Sequence, residues 1–449
     1  MSNDRSYQET IDYLYALQKH GVKLALDNSF RLMDVMDSPH VRFPAVHIAG
    51  TNGKGSTSVF IASILMAAGF RVGLYTSPHL ISFTERIRIN GELISEAKVV
   101  ELTMRVHEGY RRLNADKRVG MISPTFFEVT TAVAFTYFAE EGVDIAVVEV
   151  GMGGRLDSTN VITPLVSVIT NVDLEHTEFL GSTLEQIASE KAGIIKPGVA
   201  AVTGAHQPEV ISVIEREASL KGSRMFRLMK DFQAEHIIPG PKQAFDYRGM
   251  KAVYRGLRLQ MLGRFQVDNA CLALASIECL RDAGFVIEEQ AVRRGLELSH
   301  WEGRLERVSI EPDIYLDGAH NPASAKKLAA AIREMMPVYQ KLTLIIGTLG
   351  DKDYRGIVEE LVPLADRVVV TKPQYARALD VNTLAEEIGK IHSTINATAT
   401  VAEAISCAKD GASRYDLIMV TGSLYVVGEA RALFVPDSGA TGKLAGLKG

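Results

Sequence analysis

"HIAGTNGKGST", residues 47–57, places three glycines and one lysine directly after a short apolar run, Ala45–Ala49. Glycine is costly inside helices and strands, so such a cluster marks a turn between elements. The run before it reads as a strand and residues 54–68 after it as a helix. Strand, glycine-rich loop and helix start together surround an anion with backbone N–H groups and the positive end of the helix dipole. Lys54 adds a mobile cation suited to β- and γ-phosphates, and Gly53, Gly55 and Ser56 complete the candidate nucleotide loop. The fit to the general phosphate loop G-x-x-x-x-G-K-[ST] is partial. Position 48 is Ile, Gly55 stands where the hydroxyl residue belongs, and Ser56 follows one step later. A tight turn alone explains the glycines, but neither Lys54 nor the strand–helix setting.

The chain of 449 residues is too long for one ordinary core, which predicts two domains. Its composition, 47% apolar and 23% charged, is that of a globular protein. A formal net charge of −5 argues against a dedicated nucleic-acid binder, which needs a basic surface. Cys271, Cys279 and Cys407 form neither a disulfide framework nor a zinc pattern, so free thiols in a reducing compartment are expected. The start, MSNDRSYQET, has no apolar signal core, and no apolar run reaches the ~20 residues of a membrane span. The expected location is the cytoplasm.

Short apolar runs alternate with helical patterns. Strands are expected at 71–75, 144–150, 165–170 and 200–203, and helices at 126–140 and 184–192. Apolar strands separated by helices predict a parallel sheet covered on both faces. A β-hairpin or meander is expected within 226–262, then a helix over 266–283. Residues 299–303 read as a hinge carrying the single tryptophan. The α/β rhythm then restarts, with strands at 314–317, 342–346, 367–371 and 417–421 and helices at 323–336, 354–364, 381–391, 401–409 and 424–433. The fold class is α/β: an N-terminal P-loop parallel-sheet ATPase domain over 1–298, and a smaller C-terminal Rossmann-like domain over 304–435. Residues 436–449 read as a frayed tail.

Several residues could carry chemistry. Glu149 ends a strand beside the P-loop strand, a place suited to a Mg²⁺ ligand; the alternative is an acid paired with Arg155. His176 lies with Asp173 and Glu175 after another strand. Imidazole is an unusual Mg²⁺ ligand, so a structural loop histidine stays open. Lys191, beside Glu190 in a helical pattern, has a solvated surface lysine as its bland reading. "GMGGRLDSTN" (151–160) makes a second glycine-rich turn, in which Arg155 and Asp157 could meet substrate. In "TFFE", Phe126 and Phe127 could stack on a flat ring, although Phe126, Thr130, Val133 and Tyr137 also have core-helix spacing. Asn321 and Pro322 suit a helix cap and first turn, which leaves Asp317 and His320 unexplained.

"GTNGKGS" resembles the P-loop of amide-forming ligases related to the Mur ligases, and most closely the folylpolyglutamate synthase/dihydrofolate synthase family. "TSPHL" (76–80), "ERIRINGELI" (85–94), "TFFEVTTAVAF" (125–135), "VEVGMGGRLDSTN" (148–160), "SEKAGIIKPG" (189–198), "LDGAHNP" (316–322) and "TGSLYVVGE" (421–429) follow in order. The resemblance spans residues 10–432. It implies ligation of L-glutamate to dihydropteroate and to reduced folates through an acyl phosphate, with ATP as co-substrate and two Mg²⁺ ions. It implies metal ligation by Ser77, Glu149 and His176 and a carbamylated Lys191. Nucleotide contacts are implied for Asn269, Arg304 and Asp317, with His320 near the nucleotide or amine. A pterin wall is implied at Thr125, Phe126, Phe127, Glu128, Leu156, Asp157 and Ser158. Ser158 replaces a commoner Ala, and Phe265 stands where many members have His. The expected partners are small molecules, with no nucleic acid or membrane, acting on a monomer. A Mur-type ligase, a monofunctional folylpolyglutamate synthase and a nucleotide-binding regulator are the rival readings.

Overall fold

The computed structural model describes residues 6–21, 25–115, 121–240 and 243–435. The expected tail at 436–449 lies outside the described residues. The first sheet contains β1 (Ala45–Ala49), β2 (Val72–Tyr75), β3 (Ile87–Ile89), β4 (Glu92–Leu93), β5 (Ile145–Glu149), β6 (Val166–Ile169), β7 (Ala200–Thr203) and β8 (Met225–Arg227). Its order is β4-β3-β2-β5-β1-β6-β7-β8. The strands run parallel from β2 to β8, with β3 and β4 antiparallel at one edge. β1, β5 and β6 are buried at every residue, which is why they read as nearly unbroken apolar runs.

The helix Lys54–Ala67 is buried from Ser56 to Leu65. It lies between the sheet and the helices Arg264–Asp282 and Glu289–Leu298. A helix covered on all sides needs no polar face, so its sequence is apolar around the whole circumference. The expected meander is a three-stranded antiparallel sheet, β9 (Gln233–Ile238), β10 (Ala244–Arg248) and β11 (Val253–Arg258), in the order β11-β10-β9.

The last sheet contains β12 (Glu306–Ser309), β13 (Asp313–Leu316), β14 (Leu342–Ile346), β15 (Arg367–Val370), β16 (Ile395–Ala397) and β17 (Leu417–Thr421), ordered β12-β13-β17-β14-β15-β16. It is parallel apart from its β12 edge. The expected strands and helices fall within a few residues of the observed ones. The sequence reading did not anticipate the β3–β4 hairpin, the helices Tyr7–Ala16, Asp27–Val35, Glu96–Ala115, Pro208–Leu220 and Glu289–Leu298, or the edge strands β12 and β16. Among the described residues no helix is long and apolar enough to cross a membrane.

Candidate active site

β1 lies between β5 and β6 in the first sheet, so the loop leaving it opens at the sheet's carboxyl edge, where open α/β sheets bind ligands. The loop is held from the β6 side. Asn171 Oδ1 accepts the Asn52 N–H (2.8 Å), Thr170 Oγ1 donates to the Asn52 carbonyl (2.7 Å), and the Asp173 N–H donates to Thr51 Oγ1 (3.0 Å). Gly53 caps the following helix with φ +85°, a left-handed conformation that favours glycine. Lys54 Nζ folds back to donate to the carbonyls of Gly50 (2.8 Å) and Thr51 (3.1 Å), which fixes its charge at the loop. Ser56 is buried one residue beyond Gly55. Asn269 closes the loop from the helix Arg264–Asp282: a Cβ on Gly53 would lie 2.5 Å from Asn269 Oδ1.

Glu149 stands at the end of β5, level with Ile48 of β1. Its Oε2 accepts the Ser77 N–H at 3.2 Å. Burial pushes its carboxyl up to about 7, against the pull of Lys54 and that N–H. The alternative pairing with Arg155 is overturned, because Arg155 instead binds Glu190 at 2.7 Å. Glu149 is therefore a buried acid without a salt-bridge partner among the described residues.

Lys191 lies in the last turn of the helix Leu184–Ala192 and is 3% exposed, which overturns its reading as a surface lysine. Burial and the charge of Lys54 push its amine down to about 7, with Glu175 and Asp173 opposing. His176 has φ +51° and is exposed as a residue, while desolvation of its ring pulls the imidazole below its usual value with Glu175 opposing. Glu175 is half-buried, and His320 and Lys54 hold its carboxyl well below the usual carboxylate range against the desolvation that would raise it.

The second sheet supplies its groups from the loop after β13. His320 Nε2 lies 3.4 Å from Glu175 Oε1, and Asn321 Nδ2 donates to the same oxygen at 3.3 Å. Asn321 Nδ2 also donates to Asn52 Oδ1 in the P-loop at 3.2 Å. The loop is stiffened by Asp317, whose oxygens accept the Leu305 and Ala319 N–H groups at 3.0 Å each. Burial raises the Asp317 carboxyl, with Arg304 opposing. Arg304 Nη1 donates to the Gly303 carbonyl at 3.0 Å.

The expected pterin wall forms a second, more aromatic surface. Thr125 and Glu128 form a capping box, so part of their polar capacity holds the helix Phe126–Glu140. Glu128 Oε1 remains buried without a hydrogen-bond partner. Phe126 stacks on Tyr15 (centroids 5.7 Å apart) and lies under the Arg86 guanidinium at 5.2 Å. Phe127 stacks on Tyr75 and packs against Gly151 in the glycine-rich turn. Asp157 Oδ2 accepts the Met152 N–H at 2.9 Å, and its Oδ1 accepts the Thr159 N–H (3.0 Å) and hydroxyl (2.5 Å). Leu156 is half-buried and Ser158 buried beside it.

Tyr15, His79 and Arg86 were missed by sequence reasoning. Arg86 Nε donates to His79 Nδ1 at 2.8 Å, and His79 Nε2 faces the Tyr15 hydroxyl at 3.1 Å. The motif "TSPHL" was the available signal for His79; nothing local marks Tyr15.

Residues 48–277 match the Mur ligase middle domain and residues 303–424 the Mur ligase glutamate ligase domain. The dihydrofolate synthase/folylpolyglutamate synthase of Bacillus subtilis is 35% identical over 433 residues, covering 95% of this chain and 98% of its own length. Folylpolyglutamate synthase of Mycobacterium tuberculosis complexed with ADP has a TM-score of 0.89 at 35% identity, covering 96% of this chain and 100% of that one. E. coli FolC in complex with DHPP and ADP has a TM-score of 0.86 at 30% identity, covering 96% and 98%. With both Mur ligase domains matched and such relatives along nearly its whole length, the chain belongs to the dihydrofolate synthase/folylpolyglutamate synthase family of the Mur ligase superfamily.

Proposed function

We infer that this chain is an ATP-dependent ligase that joins L-glutamate to dihydropteroate, forming dihydrofolate, and to reduced folates, lengthening a γ-linked glutamate tail. The carrying observation is that the P-loop with Lys54 meets Glu175 and His320, one from each sheet, at a single edge. A carboxylate is a poor electrophile. Transfer of the γ-phosphoryl group of ATP makes an acyl phosphate, which the amine of glutamate attacks with release of phosphate. Lys54 holds positive charge where the transferred group becomes most negative. Asn269 and Arg304 border the nucleotide, and Asp317 keeps the His320 loop in shape. His320 contacts the nucleotide or the amine, with Glu175 orienting its ring.

The donor set fits magnesium. Glu149 is a buried carboxylate whose charge is met by one N–H and by Lys54, and Ser77 beside it offers a hydroxyl oxygen. Among the described residues no three His, Cys, Asp or Glu side chains form a ready-made metal cluster. Ser77, Glu149 and His176 would hold Mg²⁺, as two ions, together with phosphate oxygens and water. Bound there, Mg²⁺ neutralises charge on the phosphates.

Lys191 fits carbamylation. An amine brought down to about 7 is half neutral near that pH, and the neutral form adds CO₂ with loss of a proton. The product is a carboxylate-like group that reverses the sign of the charge beside Lys54. Mass spectrometry of the native protein, with and without bicarbonate, tests this directly.

The pterin ring lies against Phe126 and Phe127, with Thr125, Glu128, Leu156, Asp157 and Ser158 around it. The boundaries 1–298 and 304–435 and the hinge at 299–303 allow the two sheets to close, excluding the water that would hydrolyse the acyl phosphate. The free cysteines fit a reducing cytoplasm. The deciding experiment is ADP release with Mg-ATP and L-glutamate, adding dihydropteroate in one arm and tetrahydrofolate in the other. Turnover in both arms is expected. Turnover with tetrahydrofolate alone would remove the pterin wall, and turnover in neither, with ATP still bound, would overturn the ligase reading.

A further inference from the structure

Two features remain unexplained: glycine at position 55, where the general phosphate loop has a hydroxyl residue, and the single tryptophan in the linker. The structure joins them. A Cβ on Gly55 would lie 2.8 Å from Trp301 Nε1, 3.2 Å from its Cε2 and 3.4 Å from its Cζ2. The indole edge therefore occupies the space a side chain at position 55 would need. The hydroxyl residue stands one step later, at Ser56.

The indole is itself held. The Arg88 guanidinium sits over the ring, 5.2 Å from its centroid, and donates to both carboxylate oxygens of Glu302 at 3.3 Å. That ion pair is largely shielded from water, with side chains 13% and 21% exposed. One residue further on, Gly303 is fastened by Glu306, which also binds Arg431. Upstream, Ser63 in the P-loop helix donates to the Gly295 carbonyl at 2.7 Å. The helix leading into the linker is thus fixed to the P-loop helix at Gly295, and the linker itself meets the start of that helix at Trp301. Trp301 also borders a small, partly open cleft with Thr76, Pro78, Arg88 and Arg304.

We propose that Trp301 is a positioning residue that locks the P-loop to the domain linker, so that nucleotide occupancy and the setting of the two sheets are coupled through one indole. A phosphate entering the loop must be received by the backbone at Gly53–Ser56, and Trp301 abuts that backbone directly. Any shift there moves the indole, and any rotation about the linker moves the loop. The inference rests on Gly53–Ser56 being the nucleotide site.

The intact protein is titrated with Mg-ADP while tryptophan emission and calorimetric heat are followed in parallel. The chain has one tryptophan, so emission reports Trp301 alone. A saturable emission change with the calorimetric midpoint is expected. Heat without an emission change overturns the coupling, whereas no heat at all overturns the nucleotide reading beneath it. In Trp301→Phe, KM for ATP should rise about fivefold or more while KM for tetrahydrofolate stays within about twofold. Equal effects on both substrates, or none, count against the proposal. Gly55→Ala should raise KM for ATP about tenfold in the native background and about twofold beside Trp301→Phe, where the indole edge is gone. An equal loss in both backgrounds shows that Gly55 does not answer to Trp301.

Discussion

His320 Nε2 lies 3.4 Å from Glu175 Oε1, and His320 Nδ1 lies 2.8 Å from the Gly318 carbonyl. Both ring nitrogens therefore face oxygen atoms, which fixes the orientation of the ring. The pair bridges the loop after β6 to the loop after β13, so it forms only when both sheets are in place. Replacing His320 by Ala should lower kcat/KM for glutamate on the order of 10²-fold, within the range of a positioned acid–base group. Steady-state ADP release measures it. A decrease below about threefold would remove His320 from the chemistry.

Glu149 gives a prediction whose sign changes with magnesium. Its carboxyl is raised from 4.5 to about 7, so the folded protein binds a proton that the unfolded chain has released. The penalty of burying the carboxylate is absent below pH 4.5, grows between 4.5 and 7, and is full above about 7. Without metal or nucleotide, Glu149→Gln should therefore be more stable than the native protein at pH 8, by up to about 3 kcal/mol, and no more stable at pH 4.5. Added Mg²⁺ should raise the melting temperature of the native protein and not that of the variant. Thermal scans at the two pH values, with and without MgCl₂, decide both points. An equal Mg²⁺ response in the two proteins removes Glu149 as a ligand.

Lys191 runs the other way. Its amine falls from 10.5 to about 7, so the unfolded chain binds the extra proton between those values. The cost of the buried ammonium is full below about 7 and fades as the pH approaches 10.5. In CO₂-free buffer, Lys191→Met should gain stability over the native protein at pH 6, and the gain should shrink by pH 9.5. Bicarbonate should narrow the gap at intermediate pH by trapping the neutral amine. A stability difference that does not change with pH would show that burial does not set this lysine's charge.

The P-loop, Glu149 and Lys191 show where a sequence is legible. The P-loop is local: Gly53, Lys54 and the strand before them lie within a few residues, and the pattern identifies itself. Glu149 ends one apolar strand and His176 lies in the loop that follows another, so strand reading alone puts them near the sheet's edge. The burial of Lys191 has no such signal, because the helix Leu184–Ala192 carries charges that suggest an outer face. Asn321 and Glu175 meet across 146 residues, and Tyr15 reaches Phe126 from the first helix. Such contacts depend on how sheets and helices pack rather than on local pattern. The β3–β4 hairpin escaped for another reason. Its strands have three and two residues, too short for an alternating pattern to emerge. The helix Glu96–Ala115 buries Val99, Leu102, Thr103, Val106 and His107, a stripe whose helical spacing is visible in the sequence.

Asp157 allows the pterin wall to be tested apart from the nucleotide loop. Its two oxygens accept the Met152 N–H, the Thr159 N–H and the Thr159 hydroxyl, which ties the glycine-rich turn to the short helix Ser158–Val161. Thr159 Oγ1 also lies 2.8 Å from Nε2 of the buried His47 in β1, so the carboxylate is anchored from below by the P-loop strand. Asp157→Asn keeps the volume and removes the charge. KM for dihydropteroate should rise about tenfold while KM for ATP stays within about twofold. Thr159→Val keeps the backbone N–H but loses the hydroxyl between Asp157 and His47, and should give a smaller rise of the same kind. A loss in ATP affinity matching the loss in dihydropteroate affinity would mean the turn supports the P-loop rather than the pterin. Unchanged dihydropteroate kinetics in Asp157→Asn would remove the carboxylate from the wall altogether.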